Sequence, residues 1–391
     1  MRTRFLSTAL VAVLAAVAVT GCGKGIKAEP KKPAKLVQIA EPVAVLSPVF
    51  STSLEQGRWI KGNRASSKDV VDLQVAALGD VLIAGSRGGV VSAYKNGNVL
   101  WTTDVGGSIT SGVAADADSG VVIVGTRAGK VSALDAATGA LRWQSDLSTA
   151  SLTPALISGN RVLLSGNDNV LYGLDLNTGD KVWQFNTQTT DISVRGAARP
   201  LGLDRTTALF GTADGRIHAL NPSTGTPLWT RRVGLATGGS AVERLHDVDG
   251  TPLVVGSHLY VTSYSGQFAG FDMATGRTMF VIGDVASAKS PAVLGDAVVV
   301  ASTDGKLTAF HRVTGEKLWE NDALKHRKLT NPVAVGERLA VGDLDGVVHV
   351  FDSAGKIVSR SNTKGALTSL QTIGNRLYAQ SATGVVSVWQ F

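Results

Sequence analysis

Several short runs in this 391-residue chain have the spacing of reactive or ligand-binding sites. Asp343-Leu344-Asp345-Gly346 opens like a calcium loop, where alternate carboxylates reach one cation, but the distal Glu that would complete the shell is missing. Gly125-Thr126-Arg127-Ala128-Gly129-Lys130-Val131 imitates a phosphate loop but is one residue short, with Val131 where a Ser or Thr must meet the metal. Ser353-Ala354-Gly355-Lys356 puts a hydroxyl three residues from an amine only because it spans a turn. The six His (218, 246, 258, 311, 326 and 349) are scattered, and with one Cys there is no His-Glu-x-x-His or Cys pair to hold zinc. No Gly-x-Ser-x-Gly elbow occurs. No catalytic residue, metal site or cofactor is therefore expected. What remains is recognition chemistry: Ile192 and Val194 beside Arg195, and Asp247 and Asp249 one residue apart.

The elements that would position these residues are repeats. Trp59, Trp101, Trp143, Trp183, Trp229 and Trp319 recur in one phase, with Phe280 filling it between the last two, at intervals of 42, 42, 40, 46, 51 and 39 residues. The copy Gly125–Trp143 carries Gly129, Asp135, Thr138-Gly139 and Trp143, and Asn169, Asp175, Thr178-Gly179 and Trp183 follow forty residues later. Short β-branched runs such as Val121-Val122-Ile123-Val124 are too brief for helices, and the Gly positions supply the positive φ of tight turns. Four short strands per ~40–45 residues mark a β-propeller blade. The Trp suit the seams between blades, where a large flat apolar face with one N–H donor can pack.

Counting copies predicts an all-β, eight-bladed β-propeller of four-stranded antiparallel blades over residues 50–391, about 43 residues each. The copy at Gly384 is cut short by the C-terminus, so an N-terminal strand, placed around Trp59, is expected to complete the last blade. Such closure removes two sheet edges.

Arg2 and Arg4 precede fifteen uncharged residues, Phe5 to Val19, too short to span a bilayer comfortably and shaped like a secretion signal. It ends in Val19-Thr20-Gly21-Cys22, which resembles a bacterial lipobox, so residues 1–21 are expected as a lipoprotein signal peptide and Cys22 as the lipid attachment site. Gly23 rather than Asp after the Cys resembles the pattern for delivery to the outer membrane. Residues 22–49, with five Lys and four Pro, read as a flexible tether. Of the formal charge of +7, two units fall in the signal and three in residues 23–49, leaving the body near +2. That near-neutral body excludes a nucleic-acid binder, which needs a dense basic face.

The long intervals place extra residues in two successive inter-blade segments, 184–210 and 230–261. Insertions in propellers map to surface loops, often on a binding face. The first holds Asp191-Ile192-Ser193-Val194-Arg195-Gly196, the second Glu243-Arg244-Leu245-His246-Asp247-Val248-Asp249-Gly250. Together they fit a protein-docking patch with aliphatic anchors and orienting charges. They fit equally well an arrangement in which Ile192 and Val194 plug the core and the charges are solvated.

Ser193-Val194-Arg195-Gly196, Ala236-Thr237-Gly238, Arg244-Leu245 with Asp247-Val248-Asp249, Thr251-Pro252, and His326-Arg327 leading to Gly342-Asp343 carry a family resemblance. With the lipobox and eight copies, the chain resembles the BamB lipoproteins of the outer-membrane β-barrel assembly machinery over essentially its whole mature length. The resemblance implies a non-catalytic scaffold that is lipid-anchored at the periplasmic face of the outer membrane. It would bind the POTRA domains of BamA beside the other machinery components, with unfolded outer-membrane protein substrates as further partners. Mapped by position, Ile192, Val194, Arg195, Asp247 and Asp249 would make the BamA contact; Ile192 and Val194 stand where Leu is common, and His246 where Ser often stands. A second resemblance, of the Asp-x-x-Thr-Gly-x-x-x-Trp unit to pyrroloquinoline-quinone dehydrogenases, implies a membrane-anchored quinoprotein-like enzyme or sensor. This chain lacks their adjacent cysteines and long insertions, and fold alone does not carry function.

Overall fold

The structure, a computed structural model, describes residues 31–54, 73–187, 198–234 and 245–391. Among these residues every regular element is a β-strand, and the strands form eight four-stranded antiparallel sheets. Blades 1 to 7 run through residues 76–104, 109–146, 156–186, 201–232, 253–282, 292–321 and 333–362, each a simple meander from innermost to outermost strand. Middle strands are buried on both faces, as in Val121–Thr126, whereas outer strands such as Leu141–Asp146 bury little beyond the Trp.

The repeat motif has a structural cause in every part. Asp135 opens its turn by accepting the backbone N–H of Ala137 at 3.1 Å and of Thr138 at 3.0 Å. The residue after the Asp then accepts an indole N–H from the preceding blade: Trp101 to Ala136 O at 3.0 Å, Trp143 to Leu176 O at 2.8 Å, and Trp319 to Ser353 O at 2.9 Å. The Gly of the motif lies under that same indole. A Cβ on Gly179 would stand 2.5 Å from the Trp143 ring, at a φ of +78° that already disfavours other residues. Each copy is thus half of a seam, which is why Trp and Thr-Gly recur together.

The ring closes as expected in kind, with a different strand from the one expected. Ser47–Ser53 pairs antiparallel with Val385–Gln390, putting Ser51 opposite Ser387 with their hydroxyls 2.9 Å apart. Phe50, rather than Trp59, takes the seam position: it faces Gly97 of blade 1, where a Cβ would meet the Phe50 ring at 3.5 Å. Trp59 lies outside the described residues. A shorter reach explains the choice, since Ser53 and Leu54 run directly to the last turn, where Leu54 N donates to Gly384 O at 2.9 Å.

The tether expected over 22–49 is docked from Ala34 onward. Ala34 N donates to Lys325 O, and Val43 N to Val358 O, both at 2.9 Å. Leu36 packs on the core that joins blades 6 and 7, and Val45 and Leu46 pack on the core joining blades 7 and 8. The closing strand also begins at Ser47, three residues before the boundary drawn from sequence. A Lys/Pro-rich composition disfavours a self-contained core, but it does not stop alternate apolar residues from using a neighbour's.

Candidate recognition site

Of the residues singled out for partner binding, Ile192, Val194 and Arg195 lie outside the described residues, as does Cys22. Asp247 and Asp249 are described, and they lie in the connection from blade 4 to blade 5. An extended backbone sends successive side chains to opposite sides. Val248 accordingly points into the apolar seam of blades 4 and 5 and is fully buried. Its N–H donates to Thr212 O at 3.0 Å, and Asp247 O accepts Tyr264 N–H at 2.9 Å. Gly211 is required beneath it, since a Cβ there would meet Val248 Cγ1 at 2.3 Å.

The flanking carboxylates are buried as well, Asp247 at 0% exposed and Asp249 at 7%. This corrects the solvated-charge reading and also removes the picture of two acids standing free on a surface patch. Three blades converge on this connection, and packing from residues distant in sequence encloses it. Gly250 approaches the backbone of the blade 5–6 connection so closely that a Cβ would lie 2.5 Å from Lys289 O.

Asp249 lines a small cavity with Gln74, Arg199, Thr251, Ser290 and Asn331, residues from the connections of several blades. Hydrogen bonds knit these positions around the ring. Arg199 Nη1 donates to Gln74 Oε1 at 3.0 Å, Thr251 N to Ser290 Oγ at 2.9 Å, and Ser290 N to Asn331 Oδ1 at 3.1 Å. Gln371 Oε1 accepts Val75 N–H at 2.8 Å. The cavity holds about 20 Å³, room for about one water and not for an organic cofactor. Larger grooves of about 490 and 370 Å³ flank the closing strand Ser47–Ser53, where blades 7 and 1 meet it.

A second polar cluster went unrecognised in the sequence. Asp343, fully buried, accepts Arg327 Nε at 2.7 Å and the Nε2 of the equally buried His349 at 2.9 Å through Oδ2, while Oδ1 takes the backbone N–H of Asp345 at 2.9 Å and of Val347 at 3.0 Å. Burial pushes the carboxyl up, but the bonds from His349, Val347 and Arg327 outweigh it and bring the pKa down to about 2. The apparent calcium loop is thus a turn whose first carboxylate is already satisfied by the protein. Among the described residues no cluster of His, Cys, Asp and Glu could hold a metal ion. The signal available was the pairing of His326-Arg327 with Gly342-Asp343, whose partnership is spatial.

Among the described residues two seams depart from the rule, that of blades 4 and 5 and that of blades 7 and 8, where Ser359 stands in place of the aromatic. At blades 4 and 5, Gly276 meets Arg231 instead of the preceding Trp, and Arg231 lies 5.9 Å from the Trp229 ring centroid. This is the seam that the second insertion crosses.

Eight blades, the last closed by the first described strand, define an eight-bladed β-propeller. The family model described as outer membrane protein assembly factor BamB matches residues 87–321 and 304–391. The chain belongs to that BamB family. It is 29% identical over 382 residues to the BamB of Burkholderia pseudomallei, covering 96% of each chain. The crystal structure of BamB from Moraxella catarrhalis superposes with a TM-score of 0.83 at 54% identity, covering 89% of this chain and 100% of that one. The Burkholderia pseudomallei relative is named as an outer membrane protein assembly factor and not as an enzyme. A europium-containing methanol dehydrogenase, at 13% identity and a TM-score of 0.68, shares the fold alone.

Proposed function

We propose that this protein is a non-catalytic scaffold, held by a lipid on Cys22 at the periplasmic face of the outer membrane, that docks on the POTRA domains of BamA and supports insertion of β-barrel proteins. The observation that carries the reading is family membership along nearly the whole chain, with 54% identity to a solved BamB. Ile192 and Val194 supply the apolar contact, and Arg195 orients it by charge-assisted bonds. Asp247 and Asp249, buried in the blade 4–5 connection, support the contact from behind rather than by broad contact with the partner.

The two roles separate experimentally. Arg195→Glu with Ile192→Ser and Val194→Ser is expected to abolish co-purification of BamA from solubilised membranes while the ring melts as the wild type does. Asp247→Asn, chosen because reversing a fully buried charge would unfold the connection, is expected to weaken binding and lower the melting temperature together. Retention of BamA by the triple variant refutes the site.

A further inference from the structure

The outer strands of blades 1, 3, 4 and 6 expose the aliphatic residue before the seam Trp: Leu100, Val182, Leu228 and Leu318 are each about half exposed. Blade 7 differs twice. Its seam residue is Ser359 instead of an aromatic, and the preceding Val358 is partly buried, packs with Val45 and Leu46 against the core joining blades 7 and 8, and accepts Val43 N–H through its carbonyl. An extended segment of the chain's own N-terminal region therefore occupies the edge that the other blades leave open.

Two cations hold that segment by its backbone. Arg327 Nη1 donates to Ala34 O at 2.8 Å, and Arg360 Nη1 donates to Val37 O at 2.7 Å. Both are fixed from behind by one relay. Arg327 bonds Asp343 through Nε and Asp345 through Nη2, and Arg360 Nε donates to His349 Nδ1 at 3.1 Å. An arginine Nε can only donate, so His349 Nδ1 must be an unprotonated acceptor, and its Nε2–H is the donor to Asp343.

We propose that residues 34–46 are a latched strap whose hold on blade 7 requires a neutral His349, so that the segment joining the N-terminal leader to the ring is tight at neutral pH and loosens in acid. The charged and titratable groups around the imidazole are Asp343 from the turn of blade 7, Arg360 from its outer strand, and Arg327 from the blade 6–7 connection, with Asp345 on the far side of Arg327. Protonation would put an N–H on Nδ1 against the N–H of Arg360, a cation against a cation. Arg360 would swing away and release Val37, while Arg327 stays paired to Asp343. Burial is the main influence holding the His349 pKa below its ordinary value; Asp343 works against it, and Arg360 and Arg327 reinforce it. Loosening is therefore expected on the acid side of the usual His range. The latch neither requires nor predicts BamA docking, so the two stand or fall separately.

Hydrogen exchange read by mass spectrometry on the full chain in detergent, with rates corrected for intrinsic pH dependence, tests the latch. At pH 7.5 peptides spanning 34–46 should be protected, and Arg360→Met should speed their exchange roughly ten- to a hundredfold, the scale of one charged hydrogen bond, while ring strands stay unchanged. Should Arg360→Met disturb the ring as well, Arg360→Lys keeps the charge, loses the fork, and gives the same strap-to-ring comparison. At the acid end of a titration carried below the usual His range, wild type should lose strap protection selectively. His349→Gln, whose amide can accept from Arg360 and donate to Asp343 but cannot titrate, should keep it at both ends. Exchange of residues 34–46 at the free-chain rate at pH 7.5, or an acid response that persists in His349→Gln, overturns the proposal.

Discussion

At Asp343 a single carboxylate without exposed surface takes bonds from an arginine, an imidazole and two backbone amides. Its stabilising contribution depends on the charge, and the sign follows from the shift from 3.8 to about 2. The contribution is complete above the unfolded value, near pH 3.8, and is lost as pH falls through the folded value near 2. Asp343→Asn leaves Arg327 buried beside a neutral group and is expected to cost about 3–5 kcal/mol at pH 7 by urea unfolding. The gap between the two proteins should narrow steadily between pH 4 and pH 2; a constant gap across that range would contradict the assignment. None of this was legible from the Asp343-Leu344-Asp345-Gly346 run, because its partners Arg327 and His349 identify themselves only when the turn folds back on them. The same limit hid the burial of Asp247 and Asp249: sequence gave their spacing, and only the convergence of three blades decides their exposure.

The blade seam is an element whose two halves lie about forty residues apart, and it could be anticipated because both halves repeat. Trp143 and Gly179 are partners: the indole donates to Leu176 O and covers the glycine face-on. Trp143→Phe keeps an aromatic face but loses the N–H, and should cost about 1 kcal/mol. Gly179→Ala adds a Cβ at 2.5 Å from the ring in a left-handed backbone, and should cost more than about 1 kcal/mol. Denaturant midpoints measure both, and an alanine at 179 that is neutral would mean the seam is not packed as described. Phe50 shows where periodicity misleads. Trp59 has the right residue type and nearly the right phase, yet the seam at closure is made by a strand that carries no Thr-Gly-x-x-x-Trp motif at all. The strap was missed for a related reason, since its contacts to Arg327 and Arg360 span about 290 and 320 residues.

At the scale of the whole molecule, the first described strand and the last are joined in one blade, so the two ends of the ring are closed on each other. Ser51 and Ser387 are directly paired across that junction, with a geometry suited to a disulfide, and Cys22 is the chain's only cysteine. Ser51→Cys with Ser387→Cys should oxidise readily and raise stability by about 2–4 kcal/mol. Failure to form the bond would place the N-terminal strand elsewhere. A rigid ring with a knitted centre suits a protein that works by presenting surfaces, which is what the proposed docking on BamA would ask of it. The direct measurement is calorimetric titration of the BamA POTRA region into the full chain and into its Ile192→Ser, Val194→Ser, Arg195→Glu variant. The scaffold account predicts saturable one-to-one binding by the wild type and none by the variant at equal thermal stability. Equal heats from both proteins, or none from the wild type, would contradict it.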